Sequence, residues 1–262
     1  MAKDWDTLVI LDAARPDLLD DVGGFPAADT ITTKHSPASY SWQFMEEQFV
    51  GRELHDTVYV TSNPYAPELP DDTFHAAISL LESGWDEETQ TVPPEEVVAA
   101  AKHARETYPD KRFIVHFMQP HFPFIGETGG EIPAALGRDV GSGTHPWFDQ
   151  MGGPGVEHNV LVDAFRENHA VVQPHAESII EDEPGKSVVT ADHTNLIGER
   201  GFPVPLRQYG HPADFPHPDL LRVPWIVFEG GHRETVASAP EDTLDVGDDI
   251  VNKRLEALGY TD

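Results

Sequence analysis

The chain has 262 residues, with 46 Asp or Glu against 17 Lys or Arg, so its formal charge at neutral pH is −29. An acidic excess of this size repels phosphate backbones and anionic lipid surfaces, which argues against nucleic-acid binding through a basic groove. Apolar residues make up 39% of the chain, enough to fill the core of one large α/β domain and too many for a disordered acidic polymer. Cysteine is absent, which removes disulfides, thiolate metal sites and cysteine nucleophiles.

The carboxylates run along the whole chain with no acidic tail, the pattern of a halophile's solvation shell. Self-repulsion of that kind is screened when the Debye length falls to about 3 Å at 1 M salt, so a requirement for molar salt is expected. The opening MAKDWDTLVILD enters an apolar run at once, without the regions of a secretory leader, and no run reaches the length of a membrane span. A cytoplasmic location is the resulting expectation.

In chain order, Thr7–Leu11 (TLVIL) predicts the first strand. A helix follows over Ser41–Phe49 after small polar residues, then a weaker strand over Thr57–Thr61. Pro93–Tyr108 opens with Pro and Glu and sets Val97, Val98, Ala101 and Ala104 at helical spacing. Arg112–Met118 (RFIVHFM) and Ser187–Thr190 (SVVT) are, like the first run, apolar without alternation and bounded by breakers, as strands buried on both faces of a parallel sheet read. Residues 126–155 are glycine-rich and too long for an ordinary connection, so they predict a lid or substrate loop. Val156–Glu181 reads as one long helix bent at Pro174 or as two shorter ones, and Leu196–Pro218 as loop. Val223–Phe228 is a strand near an edge because of Pro224, and Asp249–Leu258 a closing helix. Alternating strands and helices without a dividing linker predict one α/β domain over residues 1–262, a three-layer sandwich around a mostly parallel sheet.

In open α/β sheets ligands bind beyond the carboxyl ends of the strands. Asp12 follows the first strong strand, Gln119-Pro120-His121 the second, and Ala191-Asp192-His193 the third. Taken singly, Asp12 reads as a turn cap, Asp192-His193 as a surface pair, and His121 as a core histidine. Their convergence on one end of the sheet is what points to a site. Asp12, Asp192 and His193 form an oxygen-plus-imidazole set suited to a divalent cation, zinc first and manganese or magnesium next, with a position open for a nucleophile or substrate oxygen. Hydroxyls are available in His35-Ser36-Pro37-Ala38-Ser39-Tyr40-Ser41, just ahead of a helix whose free N–H groups can hold a tetrahedral anion. Ser39 is the first choice of nucleophile and Ser41 the second, although helix capping explains either serine. His116 lies inside a strand and reads as a core residue, and Phe122, Phe124, Trp147 and Phe148 read as a pocket lining or the packed underside of a loop.

Asp12-Ala-Ala-Arg15-Pro-Asp17, Val115-His-Phe-Met-Gln-Pro-His121-Phe-Pro123 and Thr190-Ala-Asp192-His193, followed by Tyr209-Gly-His211-Pro212, resemble the alkaline phosphatase superfamily. The resemblance is narrower to its sulfatase-like branch, with the phosphoethanolamine transferases and lipoteichoic acid synthases, and runs from residue 6 to about residue 228. It implies an alkaline-phosphatase-like fold, and a metal held by Asp12, Asp192 and His193 together with Ser39 or Ser41. His121 and His211 would then serve as phosphate-binding groups, proton donors or ligands of a weaker second metal. Arg15 would pair with a substrate oxyanion or simply with Asp17. The implied activity is metal-dependent hydrolysis, or transfer, of a small-molecule or glycan phosphate or sulfate ester through an activated serine. Oligomeric state is left open. Two departures stand out: Thr194 and Asn195 replace the family's Gly-Glu after Asp-His, and the formylglycine motif of true sulfatases is missing. They motivate the alternative of a non-catalytic member that binds an anionic glycan or nucleotide.

Overall fold

Strand β1 (Thr7–Leu11) is buried at all five positions, and its side chains alternate between two cores. Val9 and Leu11 enter one cluster, Leu8 and Ile10 the other. This two-faced burial is why an unbroken apolar run, and not an alternating one, marks a central parallel strand. The structure, a computed structural model, describes residues 4–132, 156–181, 183–201, 207–212, 217–231, 233–241 and 246–258.

The other strands are β2 (Thr30–His35), β3 (Leu54–Thr61), β4 (Phe74–Ser79), β5 (Arg112–Phe117), β6 (Ser187–Thr190), β7 (Leu196–Arg200), β8 (Arg207–Gly210) and β9 (Arg222–Phe228). Seven of them form one sheet in the order β2-β9-β6-β1-β5-β3-β4, and only β9 runs against the rest. The helices are α1 (Pro16–Asp21), α2 (Ser41–Gln48), α3 (Pro94–Thr107), α4 (Glu127–Glu131), α5 (His158–Glu181), α6 (Pro218–Leu221) and α7 (Asp248–Ala257). Helices α3 and α5 cover one face of the sheet with Val97, Ala101, Ala104, Val172, Ala176 and Ile179. On the other face α2 contributes Phe44 and Met45, backed by Phe49. The layers are helix, mostly parallel sheet and helix, as the alternation of elements implied.

Several elements differ from expectation. Residues 196–218 are not all loop: β7 and β8 pair antiparallel as a separate two-stranded ribbon. Strand β9 does lie near an edge, as Pro224 implied, with β2 alone outside it; pairing with β6 stops at Trp225, which leaves room for the proline. Strand β2 escaped notice because all six of its residues are exposed. The stretch 158–181 is one helix, with Pro174 inside it. Phe122 and Phe124 pack with Leu161, Phe165 and Tyr209 in a third core cluster, and so form the buried underside of a loop. Most of the expected lid, including Trp147 and Phe148, lies outside the described residues.

Candidate metal centre

The parallel strands β1, β6, β5 and β3 deliver Asp12, Asp192-His193, His121 and Asn63 to one end of the sheet, all fully buried. Each carboxylate there has one oxygen tied down and one without a hydrogen-bond partner among the described residues. Asp12 Oδ2 accepts from Ser41 Oγ (3.0 Å) and Asn63 Nδ2 (2.8 Å), which leaves Oδ1. Asp192 Oδ1 accepts from the N–H groups of Ala13 (3.2 Å) and His193 (2.8 Å), which leaves Oδ2. Ala13 reaches its position with φ of 60°, a left-handed conformation that costs a non-glycine residue about 1–2 kcal/mol.

His193 completes the arrangement. Its Nδ1 lies 3.1 Å from the Thr194 carbonyl, to which it donates, so Nε2 presents a lone pair. That Nε2 stands 3.5 Å from Asp12 Oδ1, 3.5 Å from Asp192 Oδ2 and 3.4 Å from Ser41 Oγ. Ligand atoms about 2.0–2.1 Å from a tetrahedral ion sit about 3.3 Å apart, so these spacings fit a divalent cation. Two unpartnered buried carboxylate oxygens facing each other are otherwise expensive. Burial, and then the neighbouring Asp192 charge, push the Asp12 carboxyl well above its usual range, against the bonds from Ser41 and Asn63.

The two serines separate. Ser41, buried and first in α2, has its Oγ between Asp12 and His193, whereas Ser39 Oγ donates to the Pro212 carbonyl (3.3 Å). Of the two candidates it is Ser41, the second choice from the sequence, that lies against Asp12 and His193. His121 donates from Nδ1 to the Phe122 carbonyl, and its Nε2 is 2.9 Å from Nε2 of His211, whose ring centroid lies 4.5 Å from that of His193. Burial, and to a lesser degree His193, push His121 down to about 4, so it is neutral and accepts the shared proton from His211. Arg15 is committed elsewhere: its guanidinium bonds both Asp17 oxygens, Glu199 (2.8 Å) and the Asn195 carbonyl (2.7 Å). Its backbone N–H donates to His169 Nε2 (3.1 Å).

Two residues went unnoticed as parts of this site. Asn63 follows β3 at the same sheet end, and the strand-end rule applied to that weaker strand finds it. His116, read as a core histidine, lies within β5 with Nε2 3.8 Å from Asp12 Oδ2; ligand atoms of Asp12, His116 and Asp192 all fall within 4.8 Å of one another.

No family model matches the sequence, and a search of curated proteins gives no match. Solved structures do share the fold. The C-terminal periplasmic domain of EcEptC from Escherichia coli, in complex with Zn, superposes with a TM-score of 0.56 at 12% identity, over 87% of this chain and 74% of that one. The C-terminal periplasmic domain of phosphoethanolamine transferase EptC from Campylobacter jejuni gives 0.52 at 14% identity, over 85% and 78%. A putative sulfatase from Bacteroides thetaiotaomicron gives 0.53 at 12% identity, over 100% and 72%. The fold is thus alkaline-phosphatase-like, shared with phosphoethanolamine transferase domains and sulfatases. Two of these neighbours are periplasmic domains, which lends nothing to the expected cytoplasmic location. No helix among the described residues is long and apolar enough to cross a membrane.

Proposed function

We propose that the protein is a metal-dependent hydrolase or transferase of phosphate or sulfate esters, with Ser41 as nucleophile and Asp12, Asp192 and His193 holding the cation. The observation that carries the reading is the pair of orphaned carboxylate oxygens facing His193 Nε2 and Ser41 Oγ. A divalent cation there supplies the positive charge that acidifies a hydroxyl and neutralises an anionic ester. Zinc suits the donor set and is the metal of one structural neighbour; manganese or magnesium would serve the same chemistry.

Asp12 Oδ2, 3.0 Å from Ser41 Oγ, takes the serine proton as the new Oγ–phosphorus or Oγ–sulfur bond forms and the ester bond breaks. Ser41 opens α2, whose first-turn N–H groups have no intrahelical partners and hold the non-bridging oxygens. The neutral His121–His211 pair would hydrogen-bond the leaving oxygen, which takes its proton from solvent; water or alcohol then attacks the seryl ester, its proton passes to solvent, and Ser41 recovers its own proton from Asp12. The substrate is a small-molecule or glycan ester.

The test is turnover of nitrophenyl phosphate, bis-nitrophenyl phosphate and nitrophenyl sulfate with added zinc or manganese in high salt. Ser41→Ala is expected to remove at least 99% of the activity and Ser39→Ala to keep most of it. Equal loss in both variants contradicts the assignment. Metal binding without turnover of any of the three esters favours a binding protein for an anionic glycan or nucleotide.

A further inference from the structure

We infer that the cation takes an additional imidazole from inside the sheet, that of His116, held in its ligating tautomer by Tyr59. The inference rests on the metal-dependent reading above and extends its ligand set.

The strand register builds the arrangement. His116 of β5 is flanked by Ile10 of β1 and Thr61 of β3. Side chains two residues apart share a face, so Asp12, two beyond Ile10, continues the face that carries His116. Ile114 and Tyr59 belong to the apolar cluster on that same face. His116 is fully buried there, and its Nε2 has no hydrogen-bond partner among the described residues. An imidazole nitrogen left bare in such surroundings is costly unless something ligates it.

The tautomer follows from what already surrounds Asp12. A proton on His116 Nε2 would point at Asp12 Oδ2, 3.8 Å away, but both lone pairs of that oxygen are used by Ser41 and Asn63. Nδ1 has a better outlet in the Tyr59 hydroxyl at 2.8 Å. With Nδ1–H donated to Tyr59, Nε2 turns a lone pair towards two carboxylates, a juxtaposition that repels until a cation sits among them. Tyr59 is then a positioning residue: it touches neither ion nor substrate but fixes which nitrogen is free.

The test uses the full chain, stripped of metal and reloaded with one equivalent of zinc or cobalt(II). X-ray absorption at the zinc edge is expected to count one more imidazole per zinc in the wild type than in His116→Gln. Zinc affinity, measured by competition with a chromophoric chelator, should fall at least 10-fold in His116→Gln, and the visible cobalt(II) spectrum should change in position and intensity. Tyr59→Phe should weaken zinc several-fold with the imidazole count kept. Should His116→Gln fail to fold, the wild-type imidazole count decides alone: two supports the ligand, one overturns it. Unchanged affinity and spectrum in a folded His116→Gln, with binding still abolished by Asp192→Ala, overturns the role of His116 and leaves the metal reading standing. Undiminished zinc binding in Asp192→Ala overturns both.

Discussion

Asn63 is the residue by which the second layer of the centre can be weighed. It is fully buried; its Nδ2 donates to Asp12 Oδ2 at 2.8 Å, and its Oδ1 accepts the Tyr65 N–H at 3.0 Å. Asn63→Ala removes both bonds. The first is to a charged group and is worth about 1.5–3 kcal/mol, the second about 1 kcal/mol, so the metal-free protein should lose about 3 kcal/mol. The consequence for the cation is separate. With Oδ2 held only by Ser41, the Asp12 carboxylate can rotate and no longer presents Oδ1 alone to His193. Loss of an outer hydrogen bond of this kind lowers metal affinity about 10–100-fold. Urea unfolding with chelator measures the first effect, and zinc competition under native conditions the second. Zinc affinity within twofold of wild type would refute the claim that Asn63 orients the ligand.

Three further outcomes are expected. In chelator, stability should fall as pH drops from 6.5 towards 4: burial pushes His116, His121 and His169 each down to about 4, so the unfolded chain takes up their protons first, at about 3 kcal/mol per group. Asp12, whose pKa is raised, acts with the opposite sign and offsets part of this loss; flat urea midpoints across that window would contradict it. Gly230→Ala would drive a methyl into the Gly185 backbone carbonyl, which cannot swing away, and should destabilise by about 1–3 kcal/mol in the same unfolding assay. A formal charge of −29 should make the melting temperature rise between 0.1 and 3 M KCl, and an unchanged melt would remove the case for salt adaptation.

What could be read from the sequence was whatever burial writes into it. Strands β1, β5 and β6 are packed on both faces, so their apolar runs announced the sheet, and the rule about strand ends then pointed to Asp12, His121, Asp192 and His193, which lie together at one end of it. Strand β2 has no buried face to pattern it, and β4 (FHAAIS) spends its interior positions on a histidine and two alanines, which carry little strand preference. Choosing between Ser39 and Ser41 needed the direction of each side chain, which the sequence does not carry. The helix start was legible, since α2 opens at Ser41 as expected, but which serine faces Asp12 depends on how the turn before the helix is directed, and that is set by tertiary packing. His116 stayed hidden because the rule looks past strand ends, whereas this side chain acts from inside one. Only the register with β1 shows that it and Asp12 lie on the same face.

The metal content of Asp192→Ala, purified from the same cells as the wild type and compared by mass spectrometry of bound metals, tests the proposed cation site most directly. Wild-type protein should carry about one divalent ion per chain and the variant almost none, while both retain the same circular dichroism in high salt. Equal metal content in the two folded proteins would contradict the assignment of the ion to this cluster and, with it, the proposed chemistry of Ser41.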